Sequence, residues 1–424
     1  MLKKQFANVS AVGALGGGLV IICLWPEAGN VSVILAQILA LGICFFTSTW
    51  SDLRRPAAAL PLLAGLLLIF AFGITATSVL QVASVLVFAP LFLVGPLITA
   101  FQRTSIRIGP GIVGGAATLG AFFALAVAAY DVGILHSDRG GGLVANPIHF
   151  ADVTLVLGAI SLVGLFAGSP RKYIVLAGPV LAAAAILLSG SRGAMVTVLP
   201  VALVALALAA VWGGLPRRAW LAVGVLAVVA VAMLGLAAQA GWGPLQRTVE
   251  TITAIAGGGD VTDGSDSQRV LMYRGAYNAF LQSPFYGHGM IGFTKIAADT
   301  LPPELHAPVY DHLHNDIADF AVTGGLLGII AYFCILLAPV AEALRASGPG
   351  RRPALLGACC LSVGYFFLGL TNATFGILML TVTFAVATAA IAHLARLPAR
   401  DLSQAPDVLN TPRSPHRLAD APIA

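Results

Sequence analysis

Two histidines near the end of a long polar stretch could do acid–base chemistry. They lie in residues 311–316, Asp-His-Leu-His-Asn-Asp, directly before an apolar run. The imidazole pKa lies near neutral pH, so His314 is suited to accept a proton from a hydroxyl as a general base. Asn315 and Asp316 are residues that cap helix starts, which would place His314 at the end of a helix.

Two other interpretations of this segment stay open on the residues alone. His306, His312, His314 and an aspartate could bind a metal ion, although their spacing matches no firm zinc pattern. The segment could also be a structural helix cap with ordinary interfacial histidines.

Arginines supply a second kind of chemistry. Arg192 lies in Ser-Gly-Ser-Arg-Gly between two apolar runs, and Arg269 and Arg274 lie in a later polar stretch. A guanidinium is permanently charged, and its fork of donors matches phosphate geometry. Arg192 therefore predicts an anion site, with snorkelling to lipid headgroups as the alternative. For Arg269 and Arg274, loop solubility or pairing with Asp263 or Asp266 is the simpler interpretation of the residues alone.

Two further features have mainly structural interpretations. The segment 283–289, Ser-Pro-Phe-Tyr-Gly-His-Gly, predicts a tight turn in which His288 is structural. Asp152 lies within an apolar stretch, and His149, one helical turn away, could satisfy it.

Composition determines the setting in which these residues act. Of 424 residues, 58% are hydrophobic and 10% are charged, against roughly 25% charged in soluble proteins. Such a chain cannot cover itself with a water-facing surface. The five cysteines all lie inside apolar runs without metal or disulfide spacing, which indicates packing residues. Lys3 and Lys4 precede an apolar stretch without a cleavage site, so we expect a retained first helix. We expect no nucleic-acid partner.

Runs of about 20 apolar residues predict about twelve spans in an all-α polytopic membrane protein. The spans are 8–25, 31–50, 57–76, 79–101, 109–130, 147–167, 172–188, 193–212, 218–239, 314–339, 354–370 and 373–395.

The distribution of basic residues predicts orientation. Threading the spans alternately places 17 of the 23 Lys and Arg residues on one side, which is therefore the predicted cytoplasmic side with both termini. The other side holds Arg139, Arg192, Arg247, Arg269, Arg274 and Lys295. Because the positive-inside bias disfavours these six residues, a local function is the better explanation for them.

The spans divide the chain into four parts. Residues 1–239 contain nine predicted helices, and 240–313 form a long non-cytoplasmic loop carrying part of the site. Residues 314–395 contain three more helices, and 396–424, rich in Pro, Asp and Ser, predict a disordered tail. Apolar residues near helical spacing in 267–281 predict a helix inside the long loop.

Three motifs in this order resemble the O-antigen ligase and polymerase superfamily. They are the Ser-Gly-Ser-Arg192-Gly-Ala segment after a span, Arg269 with the 283–289 turn in a long outer loop, and His314-Asn315 at the next helix. After His314-Asn315 come nine residues and Gly325-x-x-Gly328, as in the ligase form. The resemblance covers about 189–330; the first 150 residues match in topology only. A Trp is common after the loop arginine, where this chain has Tyr273.

The resemblance implies an inner-membrane glycosyltransferase whose active site faces the periplasm. Its donor would be a polysaccharide on undecaprenyl pyrophosphate, and its acceptor a sugar hydroxyl of lipid A–core. It implies no metal ion, cofactor or nucleotide sugar. His314 would be the general base, and Arg192 and Arg269 would stabilise the pyrophosphate. The predicted substrate-binding residues are Arg274, Arg247, His312 and Asn315.

Three other functions are alternatives to the ligase. A polymerase of the same superfamily and an oligosaccharyltransferase acting on protein Ser or Thr would have similar designs. A transporter would place ionisable residues near the midplane of discontinuous helices. Because the outward charges gather in one loop and at the interface, the pattern favours catalysis at the membrane surface.

Overall fold

A computed structural model describes residues 2–212, 264–302, 304–305 and 309–398. Throughout these residues the regular structure is helical, and none of them forms a strand. Nine helical segments in this part of the chain are long and apolar enough to cross a membrane. They are Pro26–Thr47, Pro56–Thr75, Val79–Arg103, Pro110–Gly133, Pro147–Phe166, Arg171–Ser189, Arg192–Val211, Asp316–Arg345 and Arg351–Gly369. The predicted all-α polytopic membrane fold is confirmed.

The α-helices are numbered here in chain order. They are α1 Leu2–Leu15, α2 Pro26–Thr47, α3 Pro56–Thr75, α4 Val79–Ala83, α5 Ala89–Phe92, α6 Val94–Arg103, α7 Pro110–Gly133, α8 Pro147–Ser161, α9 Ala177–Ser189, α10 Arg192–Val211, α11 Gly264–Gln282, α12 Phe293–Asp299, α13 Asp316–Arg345, α14 Arg351–Gly369 and α15 Leu378–Leu394. A π-helical turn, Gly16–Ile21, extends α1, and short 3-10 segments join several of the others.

Prolines mark where four of the long helices begin. Pro26, Pro56, Pro110 and Pro147 each occupy the first position of a helix. Proline suits that position because its missing N–H would have no partner there and its φ is already helical. The predicted span starts fall within a few residues of these prolines. The predicted span 218–239 lies outside the described residues.

One end of the bundle carries a buried ionic network. The Arg55 guanidinium before α3 donates to the carboxylate of Glu342 near the end of α13, with Nε and Oε1 2.9 Å apart. Asp52 Oδ1 lies 3.7 Å from Arg55 Nη1 and 3.6 Å from Arg396 Nη1. His314 lies just before the start of α13, at the opposite end of that helix from Glu342.

The predicted loop helix exists as α11, and it packs by one apolar face. Met272, Ala276 and Ala279 on this face form a small core with Phe293 and Ala297 of α12. Leu313, just before α13, and Val322, within α13, complete that core. α11 is therefore attached to α13 beside the histidine segment.

α13 is broken at Gly325, and the 283–289 turn packs into the break. Gly325 has φ +61° and ψ −144°, which is not helical. Backbone N–H groups of His288 and Gly289 donate to the carbonyls of Val322 and Thr323 at 2.8 and 2.9 Å. The N–H of Leu326 in turn donates to Pro284 O at 2.7 Å. The turn thus supplies hydrogen-bond partners for backbone groups that an interrupted membrane helix would leave unpaired.

Candidate active site

His314 has an unusual backbone conformation at the entry to α13. Its φ of +55° is left-handed, a region that non-glycine residues rarely adopt. Asn315 next to it is extended, and its side-chain oxygen accepts from Ala318 N at 3.0 Å. The predicted cap is therefore confirmed for Asn315. Asp316 does not cap this helix; its buried carboxylate instead accepts from the backbone N–H groups of Thr374 and Phe375.

Two contacts fix the His314 backbone in this conformation. The Tyr273 hydroxyl of α11 donates to His314 O at 3.1 Å. The N–H of His314 donates to Nδ1 of His312 at 3.2 Å. Because Nδ1 of His312 accepts this bond, the neutral His312 ring carries its proton on Nε2.

A third histidine joins the two in the motif. The rings of His312 and His314 have centroids 4.2 Å apart, and the ring of His149 from α8 is 6.1 Å from that of His312. The ring of Tyr310 also packs against that of His314, with centroids 5.7 Å apart. The suggested pairing of His149 with Asp152 is wrong, because Asp152 accepts from the Asn372 amide at 2.7 Å. His149 and His312 are too far apart in the sequence for a local pattern to indicate this contact.

The surroundings keep both motif histidines uncharged near neutral pH. Burial lowers the pKa of His314 to about 4, with further lowering by His312 and Arg269, while Asn372 opposes the shift. Burial likewise lowers the pKa of His312 to about 4, helped by His149 and Arg269 and opposed by Asp311. His314 therefore has a free lone pair at neutral pH, as a proton acceptor requires.

α11 separates its two predicted arginines. Arg269 is half-buried and close enough to both motif histidines to lower their pKa values. Arg274, five residues further along the helix, is exposed. Only Arg269 is brought into the histidine cluster. Arg247 lies outside the described residues.

Arg192 begins α10 after a sharp break in the chain. Gly190 at the end of α9 has φ +66°, and Ser191 then precedes the first turn of α10. The N–H of Ser191 donates to Ser189 Oγ at 3.2 Å, and Arg139 Nε donates to Ser189 O at 2.8 Å. Arg192 therefore lies at a helix N-terminus, where the helix dipole favours anions.

The 370–375 turn, between α14 and α15, contacts three segments of this site: the start of α13, α8 and the start of α10. Its Leu370 carbonyl accepts from Asn315 Nδ2 at 3.2 Å, and Asn372 binds Asp152. Its Thr371 packs so closely on Gly193 that a Cβ at Gly193 would lie 2.4 Å from Thr371 Oγ1. The segment after Arg192 and the start of α13 therefore meet at this one turn. In the sequence, this turn has one signal, a polar Thr-Asn-Ala-Thr run between apolar helices.

Two other interpretations from the sequence concern His288 and a metal site. His288 has the predicted structural environment, since its Nε2 lies 2.8 Å from Ala279 O. Within the described ranges no group of three or more His, Cys, Asp or Glu is placed to hold a metal ion. His306, a member of the alternative metal set, lies outside those ranges.

Taken together, the described residues define a polytopic membrane protein with neutral histidines and a guanidinium grouped at one end of its bundle. A protein-family model described as O-Antigen ligase matches residues 177–333. The matched segment includes Arg192, Arg269 and His314, and it confirms the resemblance to the O-antigen ligase and polymerase superfamily, a family of glycosyltransferase-like enzymes. A search of curated proteins finds no match to this chain.

Proposed function

We propose that this protein is an O-antigen ligase. In this proposal it transfers a polysaccharide from undecaprenyl pyrophosphate to a sugar hydroxyl of lipid A–core. The observation that carries the proposal is the grouping of Arg269 with the neutral His314. The 370–375 turn, which bonds to the start of α13, also packs against the residue that follows Arg192. Transfer of a glycan from a diphosphate to a hydroxyl requires one group that binds the anionic leaving group and another that accepts the hydroxyl proton.

The proposed reaction is a single displacement. The acceptor oxygen forms a bond to the anomeric carbon while the bond from that carbon to the diphosphate oxygen breaks. His314 takes the hydroxyl proton, and undecaprenyl pyrophosphate leaves with the bonding electron pair. Attack opposite the leaving group inverts the anomeric centre. Arg192 and Arg269 stabilise the charge that develops on the diphosphate.

Electrostatics couples donor binding to the base. In the free enzyme, Arg269 helps to keep the pKa of His314 low. A bound diphosphate would neutralise much of the Arg269 charge and add negative charge nearby, which raises the pKa of the imidazole. His314 thus becomes a stronger base when the donor is in place.

The remaining predicted residues have supporting roles in this proposal. His312 fixes the His314 backbone, and Asn315 fixes the start of α13 through its cap and its bond to Leu370 O. Arg274 and Arg247 are proposed to contact the donor or acceptor from the 240–313 loop. No cofactor enters the proposed reaction.

The proposed location is the bacterial inner membrane, with the site facing the periplasm and both termini cytoplasmic. Support comes from the positive-inside pattern: 17 of the 23 Lys and Arg residues fall on one side of the threaded spans. The proposed division of the chain has helices in 1–239, a loop in 240–313 and helices in 314–395; most of the predicted tail, 399–424, lies outside the described residues.

Gene deletion in a strain that makes O-antigen tests the function. A ligase deletion should leave long glycan on the polyprenyl carrier and yield lipopolysaccharide without O-antigen. Lipopolysaccharide capped with a single repeat unit would identify a polymerase. Unaltered lipopolysaccharide would redirect the search to protein glycosylation or transport. Complementation with His314→Ala, checked for normal membrane levels, should fail; near-normal transfer by that variant would refute the role of His314.

A further inference from the structure

The orientation of the Asn372 side chain is set by a buried carboxylate. Asn372 and Asp152 are each 1% exposed, and Asn372 Nδ2 donates to Asp152 Oδ2 at 2.7 Å. A carboxylate oxygen is an acceptor, so it selects the amide nitrogen and turns the amide oxygen away. Asn372 therefore presents Oδ1, an acceptor, on its other side.

Two buried atoms beside each other lack normal partners. Nδ1 of His314 and Oδ1 of Asn372 are both buried, and neither makes a hydrogen bond of normal geometry within the described residues. Buried polar atoms in folded proteins nearly always have a partner. The Asn372 side chain is close enough to His314 to raise the pKa of its imidazole. Each atom is therefore the natural partner of the other.

We infer that Asn372 is a positioning residue for His314, with Oδ1 accepting a hydrogen bond from Nδ1–H and leaving the Nε2 lone pair for the acceptor hydroxyl. Which ring nitrogen of a neutral histidine carries the proton is set by the hydrogen bonds that neighbouring groups offer to the ring. Asp152 orients Asn372, and Asn372 orients His314. This inference rests on the proposed function, because it assumes that His314 is the base.

The charges around His314 agree with this arrangement. Arg269 of α11 and His312 both disfavour the protonated imidazole, and His149 of α8 lies beyond His312. Asn372, with Asp152 behind it, is the polar neighbour that favours protonation. The base is thus stabilised in its protonated form from the side where the proton on Nδ1 would point.

The 370–375 turn has a second anchor that provides a matched control. The buried carboxylate of Asp316 accepts from the backbone N–H groups of Thr374 and Phe375 at 2.8 and 3.2 Å, and from the Thr374 hydroxyl. Removing the Thr374 hydroxyl weakens the turn without touching His314. Removing the Asn372 amide leaves the Asp316 anchor in place.

The test uses the full-length enzyme in proteoliposomes, with undecaprenyl-pyrophosphate-linked glycan as donor and lipid A–core as acceptor. Asn372→Leu should lower kcat roughly 10- to 100-fold with KM changed less than about twofold, since base orientation serves the chemical step. In the pH profile of kcat/KM, the acid limb is the region where activity falls as His314 becomes protonated. This limb should move to lower pH, because the Asn372 amide that raises the pKa of His314 is gone. Thr374→Val should lower thermal stability but leave that limb unmoved.

Asp152 variants test the relay. Asp152→Asn keeps an acceptor for the Asn372 amide and should retain most activity, whereas Asp152→Leu should behave like Asn372→Leu. In a His314→Ala background, Asn372→Leu should cost nothing further, because residues acting as a unit are not additive. An equal loss with and without His314 would show a merely structural role and overturn the inference.

A spectroscopic measurement keeps the inference testable if these variants fold poorly. In wild-type enzyme labelled with ¹⁵N-histidine, the resonances absent from His314→Ala belong to His314. They should show the Nδ1–H form, and an Nε2–H form would overturn the inference. Wild-type kcat and pH profile in folded Asn372→Leu would do the same. An active His314→Ala enzyme would instead refute the proposed function itself.

Discussion

The hydroxyl of Tyr273 donates to the backbone carbonyl of His314 at 3.1 Å, which joins two residues 41 positions apart. Tyr273 belongs to α11, and His314 precedes α13. The bond is one of the contacts that hold His314 in its left-handed conformation. The position of His314, the proposed base, therefore depends on a helix from the long polar loop.

Tyr273→Phe should lower kcat by about 2- to 10-fold, because one hydrogen bond contributes about 0.5–1.5 kcal/mol. Initial rates in proteoliposomes measure the change. Tyr277→Phe is the matched control: Tyr277 is exposed on the same helix, 63% of its surface being accessible. Equal losses in the two variants would mean that the bond to His314 is not the cause.

Arg269→Gln should shift the pH dependence of kcat/KM as well as lower the rate. His314 must be neutral to act, so activity in the free wild-type enzyme should fall as pH drops toward about 4. Arg269 lowers the pKa of His314, and removing its charge makes protonation easier. The acid limb should therefore move to higher pH in the variant.

The exposed ion pair of Lys295 with Asp299 supplies the control for that experiment. Lys295→Gln removes the same charge from the same loop and should leave the limb where it is. If Arg269→Gln leaves the limb unmoved, Arg269 does not act on the pKa of His314.

Gly325→Ala should destabilise the protein strongly. The residue has φ +61°, and an added Cβ would lie 2.5 Å from the backbone carbon of Phe285. The backbone conformation alone costs about 1–3 kcal/mol for a residue with a side chain. We expect a lower thermal midpoint in detergent, with reduced folded yield.

The neighbouring Gly324→Ala is the control for that substitution. Its added Cβ would meet only Leu68 Cδ2, at an ordinary 3.4 Å. This variant should keep a thermal midpoint near that of the wild type. Equal destabilisation of both variants would show that the packing of the 283–289 turn is not what Gly325 protects.

Glu342→Ala should be costly at the other end of the bundle. It leaves the buried Arg55 guanidinium without its closest carboxylate, and breaking a buried ion pair costs about 3–5 kcal/mol. Asp299→Ala breaks an exposed pair, which is worth about 0–1 kcal/mol. Thermal unfolding of both variants in the same detergent compares them. Similar small shifts would mean that the buried pair is dispensable.

Several features could be predicted from sequence because they depend on local composition. Apolar runs of membrane-spanning length predicted both the helical class and the approximate bounds of the spans. Asn315 was predicted as a cap because its side chain is suited to bind an N–H two or three residues ahead, and it does. The loop helix followed from apolar residues near helical spacing.

Contacts between distant segments could not be predicted in this way. His149 looked like a partner for Asp152 because the two are one helical turn apart. In the fold, the ring of His149 faces His312, and Asp152 binds Asn372, 220 residues away. The break at Gly325 was also missed, because a Gly-Gly pair within an apolar run looks like ordinary close helix packing.

The sequence by itself determined that this chain is helical, lies in a membrane and carries arginines and histidines outside its apolar runs. Those properties follow from the cost of placing unpaired polar groups in lipid, which acts on each segment separately. Only the tertiary structure decided that Asn372 reaches Asp152, that α11 holds the backbone of His314, and that Arg269 but not Arg274 lies close to His314. Such choices depend on how helices far apart in the chain pack together, and side-chain geometry across those contacts is absent from any local pattern.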